Sequence, residues 1–404
     1  MIMNAAAFCA VGAEKAVSNE LRKLELKVTE NGFGRVRFKA DVPGLYKALI
    51  GLRAADRVLL EAALFPASDF DALFEGTRSA AWEDYVPRGA GLVVAKVRTN
   101  RSVLRAETSI QAMVHKAAAE RLCQKWGVLR LPDQGEKAEL RVNIEKDNVT
   151  LLLDLSGAPL FKRGYRADGG AAPLRETTAA ALILLSGWKR KFPLYDPFCG
   201  SGTIAAEAAM YAWDMAPGLN RNFALERLLI SSRKAEKVVR DEFLDRIDFS
   251  RRVRIAGSDV DPKSARLAQT NIEKILSLYK SKNESRNQAH KTAGFGMINF
   301  RTIPVEEAAV PAWDDGNSNE PAAPDSGAGY IITNPPYGKR LGSPELSEEI
   351  YRSMGDLSQR FPGWKLVLVC DHPGFESFFG KKADSCREIT NGAIQLYMYE
   401  YDKL

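Results

Sequence analysis

At 404 residues, with 45% apolar and 27% charged side chains, the chain is long enough for two or three domains with a core each, and its composition excludes a disordered or fibrous protein. Lys+Arg 57 against Asp+Glu 51 gives a formal charge of +6, which is compatible with a polyanionic partner without demanding one. Five cysteines lacking any Cys-x-x-Cys spacing, with only three histidines, argue against a metal site and for buried thiols in a reduced, cytoplasmic protein; no stretch approaches the roughly 20 apolar residues of a membrane span.

The apolar run Ala5 to Ala13 has no basic segment before it and is followed at once by Glu14 and Lys15, so it reads as a first strand, not as a signal segment. Val17, Leu21 and Leu24 recur at helical spacing, and Phe33, Val36 and Phe38 suggest a strand over 32–38, which makes residues 1–44 a small α+β unit. A second α+β unit is expected over 45–155. It comprises a helix with Leu45, Leu49 and Leu52, a strand Arg57 to Leu64, a helix Phe70 to Ser79 and a strand Gly91 to Val97, then a long helix Ser109 to Trp126 and strands Glu139 to Ile144 and Val149 to Leu155. Residues 156–175, with four glycines, two prolines and Lys162, Arg163 and Arg166, are a linker by composition. Either a solvated basic linker or one that touches phosphate or cofactor fits this composition.

From residue 176 the pattern becomes βα alternation. A helix Glu176 to Gly187, a strand ending at Asp196 and a helix Thr203 to Ala212 are followed by a strand Val253 to Ser258 and a helix Pro262 to Leu276. Strand Tyr330 to Thr333 enters the string Asn-Pro-Pro-Tyr, an apolar helical stripe runs from Leu346 to Phe361, and strand Lys365 to Cys370 follows. Asn391-Gly392 marks a hairpin turn between two terminal strands. A parallel sheet closed by an antiparallel hairpin predicts an α/β, Rossmann-like fold for 176–404, one that resembles the fold of the class I methyltransferases. Residues 311–329, rich in Pro, Asp, Asn, Gly and Ala, read as a surface insertion without assignable chemistry.

Two strings carry the chemistry. In Asp196-Pro197-Phe198-Cys199-Gly200-Ser201-Gly202-Thr203 the glycines allow a tight turn and close approach to a ligand, and the helix from Thr203 aims its amides at the same point, which suits the carboxylate of a methionine-derived cofactor. The string lacks the third glycine of a dinucleotide fingerprint and the Gly-Lys-Ser/Thr of a P-loop. Asp259, at the end of the next strand, stands where a carboxylate accepts from both ribose hydroxyls; Asp261 before Pro262 reads as a helix N-cap. In Asn334-Pro335-Pro336-Tyr337 the Asn334 amide oxygen and the Pro335 carbonyl can accept the two hydrogens of an exocyclic amine and turn its lone pair toward a sulfonium methyl. Tyr337 offers a ring for stacking of an extruded base. The chemistry implied is methyl transfer to a planar nitrogen, with no metal required.

These strings, with Gly12-Ala13-Glu14-Lys15, Leu52-Arg53-Ala54-Ala55-Asp56-Arg57-Val58, Trp82-Glu83, Lys162-Arg163-Gly164-Tyr165-Arg166 and Ala172-Pro173-Leu174-Arg175-Glu176, resemble the THUMP-domain RNA methyltransferases of the UPF0020 type. These are the bacterial 23S rRNA guanine-N2 methyltransferase-like proteins, often labelled N6-adenine-specific DNA methylases. The resemblance covers nearly the whole chain. It implies a ferredoxin-like unit at 1–44, a THUMP domain binding structured RNA at 45–155, and an S-adenosylmethionine-binding domain at 176–404. It places Asp196, Phe198, Gly200, Gly202, Asp259 and Asn334 on the cofactor and Asn334 to Tyr337 on the target base. Where the family often has an acid or amide facing the cofactor's adenine, this chain has Pro304, so that contact is expected from the Val305 backbone or from Glu306.

Adenine-N6 methylation of DNA and glutamine methylation of protein use the same acceptor loop. The N-terminal half resembles an RNA-binding module and contains nothing like a DNA-reading helix, which favours RNA, 23S rRNA above all. A non-catalytic RNA-binding protein would be expected to have lost one of the two strings, and both are intact.

Overall fold

The computed structural model describes residues 1–166, 174–284, 298–313, 328–337 and 344–404. In the N-terminal half the elements are β1 (Met3–Cys9), α1 (Glu14–Lys23), β2 (Lys27–Gly32), β3 (Arg35–Ala40), α2 (Val42–Gly51) and β4 (Ala55–Pro66). They continue with α3 (Phe70–Ser79), β5 (Gly91–Asn100), α4 (Glu107–Trp126), β6 (Lys137–Glu145) and β7 (Asn148–Asp154). All seven strands form one sheet in the order β2-β3-β1-β4-β7-β6-β5. The twelve-residue β4 pairs with β1 through its first half and with β7 from Leu59 to Pro66, so it carries the sheet from the first unit into the second. The division expected between residues 44 and 45 falls inside α2.

The single strand expected over 32–38 is a hairpin. β2 and β3 are joined at Phe33 and at Gly34, whose φ of +66° needs a residue without a Cβ, and Phe33 is 84% exposed at the turn instead of facing the core. Alternation holds within β3, where Val36, Phe38 and Ala40 are buried against the helices and Arg35, Arg37 and Lys39 occupy the other face.

The C-terminal half contains α5 (Glu176–Leu185), β8 (Leu194–Asp196), α6 (Thr203–Ala212), α7 (Arg233–Asp245), β9 (Ile255–Asp259), α8 (Pro262–Glu284) and β10 (Ile298–Thr302). It ends with β11 (Tyr330–Thr333), α9 (Pro344–Ser353), α10 (Leu357–Arg360), β12 (Lys365–Cys370), α11 (Phe375–Phe379), β13 (Ser385–Asn391) and β14 (Ile394–Tyr401). The sheet order is β10-β9-β8-β11-β12-β14-β13, parallel from β10 to β12 and antiparallel through the terminal hairpin, as expected from the pattern. The chain's first C-terminal strand lies between the second and the fourth, and ligands bind where the winding direction reverses, beyond the strands' carboxyl ends. Residues 314–327 of the insertion expected at 311–329, and Ala172-Pro173 of the linker, lie outside the described residues.

Part of the described linker is fixed in the interior, although Lys162 is exposed. Arg163 and Tyr165 are buried, and both reach Glu207 of α6, at 3.4 Å and 3.1 Å. Arg163 also donates to the carbonyls of Leu160 and Arg53, which ties the two halves through one guanidinium. No helix among the described residues is long and apolar enough to cross a membrane.

Candidate active site

β8 has only three residues, all buried, and delivers Asp196 to the sheet's carboxyl edge. Gly200 and Gly202 of the loop that follows have φ of +51° and +74°, the left-handed region open to glycine. A Cβ on Gly202 would stand 2.7 Å from the Ala268 Cβ of α8, whereas a Cβ on Gly200 would meet nothing within 4 Å. The first glycine therefore borders open space and the second is a packing contact. The loop is fastened on three sides: Cys199 N–H donates to the Ser258 carbonyl (2.9 Å), Asn271 Nδ2 to the Ser201 carbonyl (2.9 Å), and Arg166 to Thr203 Oγ1 (3.0 Å). So the linker reaches this loop through Arg166. At the start of α6, Gly202 has no side chain to cap the first-turn amides.

The Asp196 carboxylate accepts from Thr333 Oγ1 (2.6 Å) and Phe198 N–H (3.1 Å). Burial pushes it up to about 7, helped by the charge of Asp259 and opposed by those two hydrogen bonds. Asp259, half-buried at the end of β9, accepts from Gly200 N–H and Asp261 N–H, both at 2.9 Å. Each of its oxygens keeps a second lone pair for a hydroxyl donor. Asp261 caps α8 through Lys263 N–H (3.0 Å) and Ser264 N–H (3.2 Å), as the sequence suggests.

Across the switch point, β11 pairs with β8 and ends at Thr333, so Asn334 emerges next to the Asp196 loop. Asn334 is 9% exposed, and its Oδ1 has no hydrogen-bond partner among the described residues. A buried amide oxygen left unpaired costs roughly 1–3 kcal/mol, and the described residues supply no donor to this one. Pro335 is buried beside it. Tyr337 departs from expectation: its ring is 6% exposed and packed into the core, where burying its apolar area is favourable, and no face is open to a base. Val305 and Glu306 lie in the single 3-10 turn Val305–Glu307 after β10, Val305 buried with its carbonyl held by Arg360, Glu306 exposed.

Sequence reasoning missed Thr333 and Asn271. Each is a polar residue in an otherwise apolar strand or helix face, and that oddity was the available signal. Gly257 went unnoticed too, though a Cβ there would meet Cys199 at 2.7 Å and Phe300 at 2.9 Å. Among the described residues no group of three His, Cys, Asp or Glu could hold a metal.

A doubly wound sheet with a glycine loop after its first strand, a carboxylate after its second and an amide after its fourth defines a class I methyltransferase fold. The model of the RMKL-like methyltransferase domain (UPF0020) matches residues 163–292 and 312–400, and that of the RlmL ferredoxin-like domain matches residues 4–59. The chain belongs to the RMKL-like methyltransferase family. It is 32% identical over 97% of its length to YpsC of Bacillus subtilis (strain 168), named as a putative RNA methyltransferase, and covers 94% of that protein. It is 31% identical over 97% of its length to the ribosomal RNA large subunit methyltransferase K/L of Syntrophotalea carbinolica, of which it covers 52%, so it spans about half of that relative. The crystal structure of SMU.472 complexed with SAH superposes with a TM-score of 0.83 at 31% identity, covering 100% of this chain and 98% of that one.

Proposed function

We propose that this chain is an S-adenosylmethionine-dependent methyltransferase that modifies an exocyclic base amine in large-subunit ribosomal RNA, guanine N2 in 23S rRNA, with residues 45–155 as its THUMP RNA-binding part. The observation that carries the reading is the unpaired, buried Oδ1 of Asn334 at the switch point beside Asp196. The names of the two relatives and the SAH-bound structure support it. The residues fit the cofactor. Open space beyond Gly200 and the uncapped first turn of α6 receive its carboxylate end, Asp259 its ribose, and the Val305 turn its adenine.

When bound, the cofactor supplies an electrophilic methyl group on a sulfonium. The chain's own part is positional. Asn334 Oδ1 and the Pro335 carbonyl accept the two N–H groups of the target amine, which hold it in the plane where its lone pair points at the methyl. Paired prolines keep both acceptors from reorganising. No general base is needed before transfer, because the alkylated nitrogen becomes acidic and sheds its proton afterwards. Stacking by Tyr337 would require its ring to be uncovered first.

Asn334→Ala should lower kcat by about 10²–10³-fold while the cofactor Kd measured by calorimetry stays nearly constant. Loss of cofactor binding with turnover retained would refute the assignment. Tritiated methyl transfer to total rRNA from a deletion strain, followed by nucleoside analysis, distinguishes N2-methylguanosine from N6-methyladenosine, and a parallel reaction on DNA tests the competing substrate.

A further inference from the structure

We propose that a groove on the open face of the N-terminal sheet, walled by the tip of the β13–β14 hairpin, is a second RNA contact that binds an unpaired stretch of the phosphodiester chain and holds one of its bases against an aromatic ring. The inference rests on the RNA reading above and adds where, outside the catalytic loop, the substrate is gripped.

The groove encloses about 430 Å³, a volume suited to one or two nucleotides. Strand register builds its floor. Arg141 of β6 stands opposite Lys96 of β5, Asn143 opposite Arg98, and Leu152 of β7 opposite Arg141, all on the face turned away from the helices. Arg57 enters from β4 and Arg175 from the linker, so five cations line the groove; Arg175 pairs with Asp56 and Arg141 with Glu139. Elsewhere on this face Arg35 pairs with Glu145, and Arg37 with Glu61 and Glu30, while the exposed Lys39 has no ion pair among the described residues. In the groove, Arg57 and Arg141 share the Asp154 carboxylate, and no ion pair among the described residues involves Lys96 or Arg98, both exposed. The Lys96 ammonium is held below its usual range, chiefly by the neighbouring charge of Arg98, with burial, Arg141 and Arg57 adding to it and Glu107 opposing it. Like charges crowded in this way are relieved by a phosphate.

The aromatic component distinguishes a strand with free bases from a duplex. Phe33 is 84% exposed at the rim, and Phe161 carries the Arg175 guanidinium 4.8 Å from its ring centre. Only an unpaired base can lay its face on such a ring. The hairpin tip fixes the direction of the groove. Because Cys370 pairs with Tyr397 and Leu366 with Tyr401, residues 391–394 lie at the carboxyl edge of the C-terminal sheet, the edge on which Asp196 and Asn334 emerge. Arg175 N–H donates to Asn391 Oδ1 at 3.0 Å, tying linker to tip. Groove and candidate active site therefore face the same side, and one RNA can occupy both.

A second basic cleft, about 580 Å³ between α1 and the turn before β8, contains Lys15, Lys23, Lys189 and Lys191. It lies at the opposite, amino edge of that sheet, since residues 187–191 precede the start of β8, and it serves as the internal control.

The test uses the full chain with deproteinised large-subunit rRNA from cells lacking the gene. Lys96→Ala with Arg98→Ala should weaken RNA binding about tenfold or more near physiological salt, reduce the slope of log K against log salt by about 1.4–1.8, and raise KM for RNA without altering cofactor affinity. Phe33→Ala should cost about fivefold or more in affinity with the salt slope preserved. Lys15→Ala with Lys23→Ala should leave RNA binding as it is. If wild-type protein methylates the rRNA and the Lys96/Arg98 variant binds it with unchanged affinity and slope, the groove is not a contact while the RNA reading stands. Equal losses in the Lys15/Lys23 variant would reduce the effect to diffuse charge and overturn the groove. A wild-type protein that neither binds nor methylates any RNA defeats the RNA reading, and the groove with it.

Discussion

The N-terminal sheet packs its helices on one face and turns Arg35, Arg37, Lys39, Arg57 and Arg141 to the other, while the strands of the C-terminal sheet are buried at nearly every position of β8, β11 and β12. A mostly antiparallel sheet can leave one face to water, and a covered parallel sheet cannot. Its free backbone and functional side chains are then confined to the strands' carboxyl ends. The first half thus offers area, which suits a long polyanion held by many weak contacts. The second offers one deep edge, which suits a small cofactor and a single base.

The halves meet at a buried joint, and the largest expected effect breaks the comparison there. Arg163 and Glu207 have side chains 2% and 0% exposed, and Arg163 also satisfies two carbonyls, that of Leu160 within the linker and that of Arg53 in the N-terminal half. Arg163→Ala leaves Glu207 buried without its partner and should cost about 3–5 kcal/mol in denaturant unfolding. Because Glu207 belongs to α6, which opens on the cofactor loop, cofactor affinity should fall as well. Two separate unfolding transitions in the variant, against one in the wild type, would mean the joint alone makes the halves cooperative.

A second prediction concerns the edge. Burial raises Asp196 from 3.8 to about 7, so the folded protein binds a proton that the unfolded chain has released between those values. Its contribution is fully present below about pH 4, declines as pH rises, and is lost above about pH 7, a change of roughly 4 kcal/mol at most. Asp196→Asn should flatten that decline in melts taken from pH 4.5 to 8. An unaltered pH profile would mean the carboxylate is already ionised in the fold and stabilised by Thr333 and Phe198. The open face has a counterpart in Asp154, whose carboxyl is also pushed up by burial although Arg57 and Arg141 oppose the shift.

Much of the edge was legible in the chain because its elements obey local rules. The helices Phe70–Ser79 and Thr203–Ala212 and the strands Tyr330–Thr333 and Lys365–Cys370 have the ends their periodicity suggests. The glycine loop, Asp259 and Asn334 converge because a parallel sheet brings its strand ends together. The β2–β3 hairpin was hidden because β2, Lys-Val-Thr-Glu-Asn-Gly, is largely exposed and carries no apolar alternation. The roles of Arg163 and Tyr337 were hidden for a different reason. A basic linker and a terminal aromatic ring look exposed in sequence, and only tertiary contacts bury them. The cationic groove is assembled from five strands, the linker and a distant hairpin, which no local pattern announces.

The smallest expected effects come from the two loop glycines, which test whether the edge separates stability from binding. Gly202→Ala places a Cβ 2.7 Å from Ala268 Cβ and 3.0 Å from its Cα, at a φ of +74°, so α8 must shift or the loop must open. A cost of about 1–3 kcal/mol in thermal unfolding is expected, with cofactor affinity lost alongside it. Gly200→Ala meets no atom within 4 Å, so it should lose only about 1 kcal/mol to its φ of +51°. Its methyl group would nevertheless stand in the space assigned to the cofactor, and calorimetry should show affinity falling by more than its stability loss accounts for. Should Gly200→Ala bind S-adenosylmethionine as the wild type does, the open space beyond Gly200 is not the cradle, and the uncapped turn of α6 must receive the ligand from another direction.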